Sequence, residues 1–255
     1  MVSNTHSCNY FLRSLWFCAS SAEWGPEQIA DTLRSWNEAI GSYIATVASD
    51  AARMKFPGCI NIPLMDVVED RVDHNGSGAR AAVHAMSSNI FNPSAAISIL
   101  ARLNSDRGST DSARTQGVAA TPPKLLTSDQ AHGAFVDAIS ALYQDAFRHL
   151  GETASRSGNS FNAAAVWNIW RGATIASAFH AALVDDPIES RSATISDEWR
   201  AVVAAAATEN IGIPMLSALF NFVVAQNSPY SYASVLQLMR HQLGGSRYLL
   251  VSDWR

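Results

Sequence analysis

The side chains in this sequence that could do chemistry are few and scattered. Ser77 sits between two glycines in Gly76-Ser77-Gly78, at the point where a helical stretch opens. The backbone N–H groups of a helix start attract anions, and small residues let an anion approach. The same three residues also read as a simple turn. Arg102 and Arg240 each stand late in an apolar helical stretch. A cation there favours the negative end of the helix, and arginine is equally the residue suited to a phosphate or carboxylate. Arg171 is a fixed charge inside the apolar run Phe161 to Leu183. If buried, it needs a partner, either a carboxylate tying two helices or a ligand.

The remaining titratable groups suggest structure more than reaction. Seven histidines are dispersed, and His149 and His180, on helix faces, read as structural residues. Asp185-Asp186 and the set Asp66, Glu69, Asp70 have the look of solvated or capping carboxylates. Cys8, Cys18 and Cys59 are too few and too widely spaced for a disulfide scaffold or a zinc site, and fit a reducing, intracellular compartment, with the cytoplasm expected. There is no G-x-G-x-x-G after a strand, no P-loop and no H-E-x-x-H. No catalytic residue, metal ligand or cofactor-binding residue is assigned on this basis.

The elements that must position these residues are helices. Phe161 to Leu183 reads as one long buried helix, the expected organising element, with Val166, Ile169, Trp170, Ala173, Ser177, His180 and Val184 recurring at steps of three or four. Tyr10 to Cys18 is apolar nearly all round and needs neighbours to cover it. Pro26 starts a helix over Glu27 to Trp36, and Asn37 to Arg53 is expected to form the next, ended by Pro57-Gly58. Further helices are expected at Leu64 to Val72, Ala79 to Met86, Ser94 to Leu103, Asp129 to Leu150, Glu198 to Glu209, Met215 to Ala225 and Tyr230 to Leu243. The polar stretch 104–123, with Gly108, Gly117, Pro122 and Pro123, reads as a mobile loop between two helical halves. No strand-like alternation of any length is present, so the expected class is all-α, in a single domain over 1–255.

Composition narrows the partners. With 48% hydrophobic residues the chain can bury a real core, and abundant alanine favours helix. A net charge of −4 without a basic block argues against a nucleic-acid platform. No apolar run reaches the roughly 18 residues of a membrane span, and Met1 to Asn9 lacks the basic charge of a secretory signal. From these properties alone the expectation is a soluble helical domain with no assigned reaction.

Three stretches carry a resemblance beyond this. Ile211 to Tyr248, IGIPMLSALFNFVVAQNSPYSYASVLQLMRHQLGGSRY, is similar to a closing helix IP-x-x-x-x-x-L followed by Q-R-D-x-F-G-x-H-x-Y. Ile169-Trp170-Arg171-Gly172-Ala173-Thr174-Ile175 is similar to W-R-G-G-C-I-I, and Leu33 to Tyr43, LRSWNEAIGSY, to W-N-x-G-x-x-x-S-Y/F-L. Taken in chain order, the three resemble the C-terminal, all-helical domain of 6-phosphogluconate dehydrogenase (decarboxylating), an NADP-dependent enzyme of the pentose phosphate pathway. The resemblance implies three substrate-binding positions. Ser77 stands at the Thr of K-G-T-G, Arg102 at a phosphate-binding Arg, and Arg240 at the Arg of Q-R-D that crosses a dimer interface. Asn75 replaces the family's Lys, and Ser246 its His. Aligned backwards from Trp36, Met1 falls about where an H-N pair should be, Thr5 at the catalytic Glu and His6 at a following Tyr, so the catalytic Lys and the Rossmann domain would precede Met1. Thr5 has no pKa useful for acid or base work.

The resemblance therefore implies a degenerate or truncated homologue, inactive alone and acting as a structural or interaction subunit, with no cofactor expected on this chain by itself. The alternative it leaves is the substrate-binding and dimerisation part of an active NADP-dependent enzyme whose Rossmann half is missing from this chain. A homodimer or larger assembly is the expected partner state, with 6-phosphogluconate or another phosphate as ligand. A third alternative is a small-molecule module in which the Gly76–Gly78 turn binds a different anion.

Overall fold

The computed structural model describes residues 25–64, 67–68, 76–108, 127–173, 177–178, 194–229 and 233–244. Among them are nine helices and one two-stranded hairpin, so the chain is all-α in class. Helix α1 (Pro26–Ile40) begins with proline at its first position. The Gln28 side chain accepts from Gly25 N at 3.1 Å, closing the first turn. Its buried stripe, Ile29, Leu33, Trp36 and Ile40, keeps helical spacing to the end, where Gly41 adopts φ 57° and donates to Asn37 O. Only a residue tolerant of the left-handed region ends a helix this way without strain.

The expected boundary at Asn37 is thus moved. Asn37 to Ile40 belong to α1, and α2 (Tyr43–Ala52) starts afresh behind its cap, Ser42. Asn37 Oδ1 accepts from Ser42 N at 2.7 Å and its amide donates to Thr46 Oγ1 at 2.9 Å, which fixes the corner. Ser49 Oγ donates to Ala30 O at 2.8 Å between the two helices. The next segment corrects the expectation of no strand. Lys55–Phe56 (β1) and Cys59–Pro63 (β2) pair antiparallel about Pro57-Gly58, with Gly58 at φ 81°. The signal was a two-residue turn with short flanks, too short for alternation to show. Arg53 and Lys55 both pair with Glu27, and Arg53 also with Asp31, tying the hairpin to α1.

Helices α3 (Ser77–Ser87) and α4 (Pro93–Gly108) pack on each other. Since α4 continues to Gly108, residues 104–108 of the expected loop are helical, and 109–123 lie outside the described residues. Helix α5 (Ser128–Arg156) opens with a capping box between Thr127 and Gln130 and runs 29 residues. At about 1.5 Å per residue that is roughly 43 Å. Its buried residues run from Ala131 to Phe147, and α1, α4, α7 and α8 pack against it. The expected helix end near Leu150 is passed because Gly151 to Arg156 continue the hydrogen-bonded turns.

This helix is the centre of the molecule, and the expected organising helix is not. Of Phe161 to Leu183, the described residues form α6 (Ala163–Trp170), capped by Asn162, with Trp170 its buried residue, and 174–176 and 179–183 lie outside the described residues. Beyond it, Ser177 Oγ and Ala178 N both donate to Ile40 O, at 3.0 and 2.9 Å. These bonds cap the carboxyl end of α1, and they require the chain to leave the helical path. Arg171 is exposed at the end of α6 and needs no buried partner. His180 and Asp185-Asp186 lie outside the described residues, as do 1–24 and with them the apolar stretch Tyr10 to Cys18.

Helices α7 (Asp197–Thr208) and α8 (Pro214–Asn227) complete the core. Ser196 caps α7, and Asp137 Oδ2 of α5 accepts from Ser196 N at 2.9 Å. A Cβ on Gly133 would meet Glu198 at 2.8 Å, so glycine is what lets α5 and α7 approach. Helix α9 (Ala233–Gln242) has no buried residue. No helix among the described residues is long and apolar enough to cross a membrane.

Candidate functional site

Helices α3 and α4 carry two of the three anticipated ligand residues. Gly76 precedes α3 with φ 79° and ψ −6°, a left-handed conformation that glycine adopts readily, and makes no side-chain cap to the helix start. Ser77, half-buried, is the first helical residue. Arg102 lies on α4 in a buried polar stripe with Ser94 and Ser98, one turn apart, exposed by 3%, 2% and 0%. Ser77 opens α3, Arg102 lies in the second half of α4, and the two helices pack on each other. Arg240 is not brought to them by any described packing. It is exposed on α9, beside an apolar surface formed by Val235, Leu236, Leu238, Met239 and Leu243.

The start of α4 is held by a second polar cluster that the sequence reading missed. Asn92 Oδ1 accepts from Ser94 Oγ at 2.9 Å and from Ala95 N at 3.2 Å, the pattern of a helix cap. The Asn92 amide meets His149 Nδ1 of α5, and His149 Nε2 lies 3.3 Å from His84 Nδ1 of α3. Burial and the neighbouring His84 hold His149 below the ordinary histidine range. His149 therefore is the structural residue anticipated, but with two named partners.

Asp145, one turn before His149, is buried and faces Ser94 at the α4 start. Burial pushes its carboxyl up to about 6, against the opposing pull of Arg148 and of the hydrogen bond from the Ser94 backbone N–H. Arg148 Nη1 lies 3.4 Å from Asp145 Oδ1, and its guanidinium sits 5.9 Å from the centre of the Phe91 ring. Phe91 meets Phe222 of α8 edge-on, so these residues and Gln226 line a crevice between α5 and α8. Buried Asp145 Oδ2 and Gln144 Oε1 have no hydrogen-bond partner among the described residues. A signal was present in the sequence. Asp145 interrupts the apolar run Ala141 to Phe147, where an acidic side chain faces the core unless the helix turns it out.

Among the described residues no group of three or more histidine, cysteine or acidic side chains could hold a metal ion. The described sheet is an antiparallel hairpin, which does not fit the parallel β-α unit that holds a dinucleotide, so no step through NADP is assigned to these residues.

Comparison with known proteins gives one family. The model of the 6-phosphogluconate dehydrogenase C-terminal domain matches residues 15–253. A 6-phosphogluconate dehydrogenase, decarboxylating, of Chlamydia pneumoniae is 25% identical over 244 residues, covering 86% of this chain and 50% of that protein. The solved 6-phosphogluconate dehydrogenase of Plasmodium falciparum was determined in its apo form, with its cofactor NADP+ and with its substrate 6-phosphogluconate. It superimposes with a TM-score of 0.86 at 15% identity, over 99% of this chain and 59% of that one, which shows a shared fold. The chain thus spans about half the length of the curated relative it matches.

Proposed function

Because the chain belongs to the family of 6-phosphogluconate dehydrogenase C-terminal domains, we propose that it works as the assembly half of such a protein: an interaction subunit, catalytically silent by itself. Helix α9 carries the reading. Five apolar side chains, Val235, Leu236, Leu238, Met239 and Leu243, are each more than half exposed on and just beyond one short helix. A surface of this kind is stable in water when another chain covers it. A second copy of the chain is the natural occupant, because the resemblance puts Arg240 at a residue that crosses between subunits. Thr5 at the position of the catalytic Glu supports the silent part of the reading. The test is the mass of the full chain in solution, measured by light scattering. A dimer is expected, and Leu236→Glu combined with Met239→Glu should convert it to a folded monomer. A wild-type monomer, or a double variant that still dimerises, would remove the reading.

A second reading is favoured by the placement of Ser77 and Arg102 on two helices that pack on each other. In it the same subunit binds the phosphate of a sugar-acid phosphate such as 6-phosphogluconate, with the α3 start and Ser77 on one side and the Arg102 guanidinium on the other. Arg240 would reach the same ligand from the partner. Calorimetric titration with 6-phosphogluconate checks it. A charge-assisted contact contributes about 1.5–3 kcal/mol, so Arg102→Ala and Arg240→Ala should each weaken binding roughly ten- to hundredfold. No heat at millimolar ligand would sink it.

A further inference from the structure

The contact between α3, α4 and α5 has a defined proton arrangement. Asn92 Oδ1 already accepts two hydrogen bonds at the α4 start, which fixes the orientation of the amide. Its NH2 group therefore faces His149 Nδ1. An NH2 group only donates, so His149 Nδ1 carries a lone pair and the ring proton sits on Nε2. That proton points at His84 Nδ1, 3.3 Å away, which must accept. The two rings lie parallel within 3°, their centroids 5.5 Å apart. The order of donation, Asn92 to His149 to His84, links all three helices and tolerates a proton on neither Nδ1. Protonating His149 sets an N–H against the Asn92 amide. Protonating His84 sets two N–H groups against each other. A metal between the rings is disfavoured for the same reason, because ligation through His149 Nε2 would call for a proton on Nδ1.

We propose that Asn92, His149 and His84 form a strap that fixes α3 to the α4–α5 pair only while both imidazoles are neutral. The strap thereby sets the position of Ser77 relative to Arg102, a consequence for ligand that rests on the anion reading given above. The charged neighbours are on α5 and α3. Glu152 of α5 favours a proton on His149, though it is engaged by Arg156 at 3.8 Å. Arg156 also donates to Asn89 O, in the turn between α3 and α4, at 3.1 Å. Asp145 and Arg148 pair with each other one turn before His149. Arg80 precedes His84 by one turn on α3. Helix α4 offers Asn92 and Ser94 here, and no charged side chain before Arg102.

Nitrogen NMR of the imidazoles in the full chain, from about pH 8 to about pH 5, tests the strap directly. His149 should show the Nε2–H tautomer near neutrality and titrate below ordinary histidine. Asn92→Asp is the informative variant. The carboxylate keeps both capping bonds and presents its second oxygen to His149 Nδ1, so the tautomer should invert and the midpoint should rise above the ordinary value. A wild-type Nδ1–H tautomer, or a midpoint that Asn92→Asp leaves unchanged, would overturn the proposal. Amide exchange over Ala82 to Ser87, corrected for intrinsic rates, should rise roughly tenfold in wild type between about pH 7.5 and about pH 5.5, and clearly less in Asn92→Asp. Equal rises in both would also overturn it. Sulfate, a dianion throughout this range, separates the two readings. Binding that weakens several-fold in acid in wild type alone supports both, and binding that weakens equally in the variant counts against the strap. No sulfate binding at either pH removes the anion reading, and the imidazole and exchange results then decide the strap.

Discussion

Arg102 and Asp145 are the two buried charges around which the candidate site is built, and their energetics differ. Arg102 is buried on α4, on the helix that also carries the buried Ser94 and Ser98. Asp145 is buried deeply enough that its carboxyl rises from 3.8 to about 6. A group whose folded pKa is raised contributes stability that is present below 3.8 and lost as pH rises through about 6. The loss is on the order of 3 kcal/mol. His149 has the opposite sign. Its lowered pKa gives stability that is present above 6.5 and lost as pH falls toward the folded value. Urea unfolding across about pH 4 to 8 should therefore show the Asp145→Asn variant gaining relative to wild type as pH rises, leaving a profile that climbs with pH. A variant that loses equally at every pH would contradict this.

At the scale of the element, the caps do most of the specifying. Ser42, Thr127, Asn162 and Ser196 each accept from a backbone N–H of the helix they start. Pro26 and Pro214 occupy first turns. Asn162, Ser196 and the prolines were readable from residue type, which is why α1, α7, α8 and the starts of α3 and α4 lie close to where the sequence put them, whereas the caps Ser42 and Thr127 were not. Gly76 is the element whose change would be most informative. Gly76→Ala forces an L-residue to φ 79° and brings a Cβ to 3.2 Å from Arg80 Nη1. A cost of about 1 kcal/mol is expected, visible as a lower melting temperature of a few degrees, and phosphogluconate binding should weaken with it. Unchanged stability would mean that the turn before α3 relaxes freely.

At the scale of the molecule, α5 is the axis on which α1, α4, α7 and α8 are assembled. Phe147 of α5 meets both Trp170 and Phe161 edge-on, at centroid distances of 5.0 and 6.0 Å, so α6 and its preceding loop are pinned to that axis by aromatic contacts. Trp170→Ala should cost about 3–5 kcal/mol in urea unfolding, a large part of the stability of a chain this size. A cost below about 1 kcal/mol would show that α6 is peripheral.

The sequence by itself determined the helical class, most helix starts and the family, because caps, prolines and periodic apolar residues act within one or two turns and do not depend on distant chain. It also supplied Ser77, Arg102 and Arg240 as positions, through the order of three short stretches. The tertiary structure decided which helix is central. Phe161 to Leu183 has the apolar period of a long helix, yet Ser177 and Ala178 bond the Ile40 carbonyl instead, a competition set by a helix end more than a hundred residues away. It also decided what Asn92, His149 and His84 are to one another. Residues of modest chemical promise, far apart in sequence, acquire a fixed proton order only when three helices bring their nitrogens to hydrogen-bonding distance.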